Sequence, residues 1–141
     1  MPVQDLFQGR ARPIQQHPSA VPYAELHCHS SFSFLDGASS PEELVQRALE
    51  LRLPALALTD RNGLYGIVEA REALLAACGL GHRDQEGEAH RNLKLIYGSE
   101  LIFDDDQAVA LVQNRRGYGN LCTTVSAGRL AAPKGELQLN F

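Results

Sequence analysis

The sequence predicts an α/β protein built on a mainly parallel sheet. Strand-like and helix-like stretches alternate along the chain, the stretch Ala55 to Leu58 is apolar throughout as in strands covered on both faces, and a complete helix start lies between the first two strands. Right-handed crossovers then set the carboxyl ends of the parallel strands along one edge of the sheet.

The first 22 residues hold four of the seven prolines (Pro2, Pro13, Pro18 and Pro22), several glutamines and no sustained apolar period. They read as a loose N-terminal arm ahead of a domain over residues 23–141. Ala24 to His29 alternates, with Leu26 and Cys28 on one face and His27 and His29 on the other, which predicts a strand. Residues 30–39 carry Phe32, Phe34, Asp36 and Gly37 without a period and read as a loop; the phenylalanines either anchor its packing or offer surfaces on which bases stack. Ser40-Pro41-Glu42-Glu43 combines a cap, a proline suited to the first turn and the glutamate of a capping box. A helix should run from there to about Leu51, with Leu44, Val45, Ala48 and Leu49 as its apolar stripe.

The strand Ala55 to Leu58 leads into Thr59-Asp60, and a second helix fits Tyr65 to Cys78 through Ile67, Ala70, Leu74 and Leu75, stopped by Gly79 and Gly81. The polar stretch 80–92 reads as a solvated loop or insertion, and His17, His82 and His90 as solvated side chains. Leu93 to Tyr97 is the next strand, ending in Gly98-Ser99-Glu100. Two short strands, Leu101 to Phe103 and Ala108 to Val112, flank a turn at Asp104-Asp105-Asp106, and a last helix runs from about Tyr118 to Arg129. Arg115, Arg116 and Arg129 read as solubilising charge, with phosphate contact as the alternative.

A chain of 141 residues with 44% hydrophobic and 21% charged residues suits one globular domain and excludes a disordered coil or a coiled coil. No run approaches the roughly 20 apolar residues of a membrane span, and the start lacks the pattern of a secretion signal, so a cytoplasmic address is expected. A net charge of -4 argues against a free-standing nucleic-acid binder and leaves DNA contact to partners. Cys28, Cys78 and Cys122, odd in number and widely spaced, read as buried, reduced thiols.

His27 and His29 lie near the end of the first strand, Asp60 just after the second and Glu100 just after the third, while Asp36 can fold back over the same edge. On a shared sheet these side chains converge where α/β proteins collect their sites. Imidazole nitrogen and carboxylate oxygen suit zinc or manganese, with magnesium a further candidate, and such metals activate water against a phosphoester. Each piece has a plainer reading: two histidines facing solvent, a turn aspartate beside Asn62 and Gly63, a surface glutamate. Their joint placement at successive strand ends predicts a metal cleft.

The segments Tyr23 to Ser30 and Phe32 to Ser39 resemble the opening of the PHP (polymerase and histidinol phosphatase) domain of bacterial C-family DNA polymerase α subunits, above all the error-prone branch. Leu58-Thr59-Asp60, Leu64-Tyr65-Gly66, Leu93 to Glu100 and Asn114 to Leu121 follow in the family's order, so the resemblance extends from about Tyr23 to Leu139. It implies an incomplete, distorted (β/α)7 barrel with His27, His29, Asp36 and Glu100 as metal ligands, and phosphoesterase or 3'-5' exonuclease chemistry. It also implies a polymerase core or DNA repair proteins as partners. Two departures stand out. Arg61 follows Asp60 where active members carry a histidine, and a guanidinium cannot bind metal. The family's later histidine and aspartate motifs, and the polymerase palm, are also missing from these residues. The expectation is a vestigial site with weak or no hydrolysis alone, in a truncation or a short natural product. The alternatives are a non-catalytic scaffold on a polymerase or repair partner, able to self-associate through an open barrel edge, and a small stand-alone phosphatase.

Overall fold

A computed structural model describes residues 23–79, 93–103, 106–134 and 136–139. The expected N-terminal arm with His17, the polar stretch 80–92 with His82 and His90, and Asp104 and Asp105 of the expected turn lie outside the described residues. Seven elements follow in order: β1 (Glu25–Cys28), α1 (Pro41–Glu50), β2 (Ala55–Leu58), α2 (Ile67–Ala77), β3 (Lys94–Phe103), β4 (Asp106–Leu111) and α3 (Arg115–Ala131).

Local chemistry accounts for most of these boundaries. Helix α1 starts on the full capping box: Glu43 N–H donates to Ser40 Oγ at 3.3 Å and Ser40 N–H donates back to the Glu43 carboxylate at 2.9 Å. Helix α3 begins three residues before the expected Tyr118, because Asn114 Oδ1 accepts the Gly117 N–H at 2.9 Å and caps a turn that already contains Gly117. Helix α2 is shorter than expected at both ends and starts behind Gly66. A Cβ at Gly66 would lie 3.0 Å from Asp60 Oδ2 and 3.0 Å from Pro41 Cγ, so a side chain there would push against both, and glycine gives the helix room to approach.

The sheet has the order β1-β2-β3-β4 and curls into a half-barrel. β1 and β2 pair in parallel, as do β2 and β3, whereas β4 runs antiparallel to β3. The two strands expected at 93–97 and 101–103 are one. Residues 94–97 of β3 pair with β2, and residues 98–103 pair with β4. Gly98 sits inside the strand where the neighbour changes: a Cβ there would lie 2.7 Å from the Ala110 carbonyl oxygen and 2.9 Å from Thr59 Cγ2. In β1 the register slips between Glu25 and Cys28, a bulge that breaks strict alternation and leaves Leu26 exposed instead of sharing the covered face with Cys28.

One apolar cluster joins Val45 and Ala48 of α1 and Ile67 and Ala70 of α2 to Leu56 and Leu58 of β2, with Cys28, Leu95 and Tyr97 packed around it. A second joins Leu101 of β3 to Leu121 and Val125 of α3 and to Leu137. Helices therefore cover one face of the sheet. The intervening positions, His27, Ala57 and Glu100, are free to build the other.

Replacing Gly98 by alanine forces a methyl group against β4 backbone, and we expect a loss of about 2 kcal/mol in urea unfolding; an unchanged midpoint would contradict the close approach.

Candidate metal centre

The carboxyl edge is organised around a buried aspartate. Asp60, 2% exposed, follows β2 and accepts three hydrogen bonds. Ser30 N–H and Ser33 Oγ reach Oδ1 and Ser30 Oγ reaches Oδ2, each at 2.7 Å. Ser30 and Ser33 are themselves fully or almost fully buried. Asp60 therefore ties down the loop after β1, and a charged carboxylate holding three donors is a strong lock. Ser33 Oγ also accepts the Arg61 N–H at 3.0 Å, which joins the loop to the residue that follows Asp60.

His27, His29 and Glu100 come together on this frame, with one candidate ligand atom from each lying within 4.8 Å of the others. His27 Nε2 is 3.3 Å from Glu100 Oε1 and His29 Nε2 is 3.2 Å from Glu100 Oε2. The two rings meet edge to face, with centroids 5.1 Å apart. Glu100 is 3% exposed and lies within β3, not after it, two residues past the change of neighbour. Its N–H is shared between the carbonyls of Thr59 and Asp60, both at 3.2 Å, which sets the carboxylate opposite the end of β2. The contact of His29 Nε2 with Glu100 lacks hydrogen-bond geometry, and this buried nitrogen has no hydrogen-bond partner among the described residues.

Asp36 does fold back over the edge. Its carboxylate contacts His29 Nδ1 and does not join the trio. Arg61 enters the same cluster from the other side, with Nε 3.0 Å from Glu100 Oε2 and Nη2 3.5 Å from Asp36 Oδ2. Asp60, the remaining sequence candidate, is used up by the serines. Two carboxylates and one guanidinium thus surround two imidazoles.

Phe34 does not anchor the loop but stands 83% exposed; Phe32, partly exposed, meets Tyr65 with ring centroids 6.3 Å apart. Arg129 is not a loose surface charge. It donates two hydrogen bonds to the Asn62 carbonyl, a role invisible to local sequence patterns. The three cysteines are half-buried. Burial, followed by the charges of Glu25 and Asp60, pushes the Cys28 thiol up to about 11.

Ligand-type side chains gathered at the carboxyl edge of a mainly parallel, helix-covered sheet place the chain among α/β proteins whose sites are built from strand ends. It belongs to the PHP domain family, whose model matches residues 25–139. It is 37% identical over 135 residues, 95% of this chain, to an error-prone DNA polymerase of Bdellovibrio bacteriovorus, and 44% identical over 129 residues to one of Ralstonia nicotianae. The chain spans only 12% and 11% of those two relatives. A solved amidohydrolase structure from Chromobacterium violaceum, with bound sulfate and no metal, shares the fold. It has a TM-score of 0.53 and 24% identity, over 77% of this chain and 34% of the other. No described helix is long and apolar enough to cross a membrane.

Asp60→Ala strands the buried donors of Ser30 and Ser33, and we expect about 3 kcal/mol of destabilisation together with faster proteolysis between residues 30 and 37; denaturant unfolding and timed digestion check both. The raised Cys28 pKa keeps the thiol neutral, so its contribution to stability is full below pH 9 and is lost as pH rises towards 11. At pH 8 iodoacetamide should label Cys28 roughly a hundredfold more slowly in the native chain than in guanidinium, read by mass spectrometry of its peptide.

Proposed function

We propose that this PHP domain is part of an error-prone DNA polymerase α-type subunit, serving DNA replication and translesion repair, and that it carries a reduced metal site at His27, His29 and Glu100. The observation that carries the reading is the convergence of those three ligand atoms within 4.8 Å. The polymerase setting is supported by relatives bearing that name.

Two imidazole nitrogens and a carboxylate oxygen suit zinc or manganese better than magnesium, which prefers an all-oxygen shell. The partnerless, buried His29 Nε2 fits such an ion. A divalent ion bound there supplies Lewis acidity and an activated water for attack on a phosphoester. Asp36, held against His29 Nδ1, accepts a hydrogen bond from the Nδ1–H and so favours the tautomer whose Nε2 lone pair faces Glu100. Asp36 is thus better placed to orient a ligand than to be one. Arg61 works against the ion: its Nε–H draws on Glu100 Oε2, and its fixed positive charge sits where a neutral ligand would add affinity. The result is a vestigial centre with weak or no hydrolysis by this chain alone. DNA is met through a polymerase core or repair partner, in the cytoplasm.

A non-catalytic scaffold is the second reading, favoured by Phe34 and Leu35, 83% and 92% exposed at the loop tip. It predicts that the chain holds no metal.

Elemental analysis of the 141-residue chain after equilibration with zinc or manganese should find bound metal above background and no more than one per chain. His27→Ala should lose it, and Arg61→His should gain about one more. A parent without metal favours the scaffold, an unchanged Arg61→His variant contradicts the assigned role of Arg61, and robust metal-dependent nuclease turnover by the parent overturns the vestigial site.

A further inference from the structure

We infer that Arg129, on the last turns of α3, is a positioning residue for the Arg61–Glu100 pair, acting through the main chain of Asn62. Its Nε and Nη2 donate to the Asn62 carbonyl oxygen at 2.9 and 2.7 Å, a two-pronged grip that lysine cannot reproduce. The guanidinium lies over the Tyr65 ring, 5.6 Å from its centroid, and this further limits its movement.

Asn62 is an uncommon residue to be held this way. Its φ of 49° is left-handed, a conformation that asparagine tolerates better than most residues but that still needs outside support. Its N–H donates to the Glu100 carbonyl at 2.7 Å, and its Oδ1 accepts the Ile102 N–H at 2.8 Å. Asn62 therefore stitches the turn to β3 at Glu100 and again two residues beyond it. On its other side, Arg61 faces Glu100 in an isolated parallel bridge and sends Nε to the carboxylate at 3.0 Å.

These contacts form a continuous path. Helix α3 holds Arg129, Arg129 holds the Asn62 carbonyl, and Asn62 sets both Arg61 and the segment of β3 that carries Glu100. Releasing the grip lets the left-handed turn relax, and the first contact to loosen is the one between Arg61 and Glu100. The clamp acts whether or not the cluster binds an ion, so it stands apart from the metal reading.

The test uses NMR of the metal-free chain and follows the Arg61 Nε–H, whose exchange with water is slowed by its bond to Glu100. Arg129→Gln and Arg129→Lys should each raise that exchange rate about tenfold, the factor expected for one lost hydrogen bond. Val45→Ala, which opens the first apolar cluster under α1 and leaves the seat of α3 intact, controls for general loss of stability; below its unfolding transition it should leave the rate unchanged. Tyr65→Leu removes the ring beneath the guanidinium, together with its contact to Phe32, and leaves the Arg129 hydrogen-bonding groups in place. It should shift the rate in the same direction by a smaller factor, which keeps the question answerable if the Arg129 variants do not fold. An Arg61 signal that exchanges at the parent rate in the Arg129 and Tyr65 variants, or as fast in Val45→Ala as in them, overturns the proposal.

Discussion

Everything at the carboxyl edge hangs on the Asp60 carboxylate. The loop after β1 has little apolar material of its own to bury, since Phe34 and Leu35 point into solvent. Hydrogen bonds from Ser30 and Ser33 to a charge almost out of water's reach hold it instead. Such bonds are strong when complete and costly when one partner is lost. His29 lies just before this lock and Asp36 just after it, so their meeting over the sheet edge is a consequence of Asp60. An aspartate in a sequence motif that invites a metal assignment thus acts one step back, as the fixture on which candidate ligands are mounted.

Above that fixture the cluster has a divided character. Its imidazoles and its buried carboxylate bring candidate ligand atoms within 4.8 Å of one another, while Arg61 reaches into the same space and pairs with the acids. A metal ion and a guanidinium answer the same electrostatic need, which is to neutralise carboxylates brought close together in a poorly solvated place. Without either, the buried Glu100 carboxylate would face the two imidazoles with no permanent positive charge beside it. The presence of Arg61 therefore lets the edge keep its geometry in a chain that has no ion bound, and separates the stability of the fold from the supply of metal.

Much of this was readable from local pattern. The capping box and the apolar β2 strand depend on neighbours a few residues away, and short-range physics carries them into the structure unchanged. What was not readable depends on distant partners. Asp60 beside Asn62 and Gly63 looks like a turn residue until Ser30 and Ser33, some thirty positions earlier, are placed against it. Gly98 looks like the end of a strand until Ala110 and Thr59 close in on it. Arg129 looks like solubilising charge until the Asn62 carbonyl arrives beneath it. Helix α3 is the exception, because its early start rests on the nearby cap at Asn114, a signal masked by the two glycines that follow.

β3 serves two neighbours in turn, parallel β2 with its first residues and antiparallel β4 with the remainder, and Glu100 follows just after the handover. A strand committed on both flanks cannot slide. Inserting or deleting one residue between Tyr97 and Glu100 would rotate the carboxylate through the sheet to the side of the helices and deliver a neighbouring side chain to the histidines. Spacing is thus a component of the centre as real as any donor atom, and a variant that keeps every ligand while changing this count would forfeit the assembly.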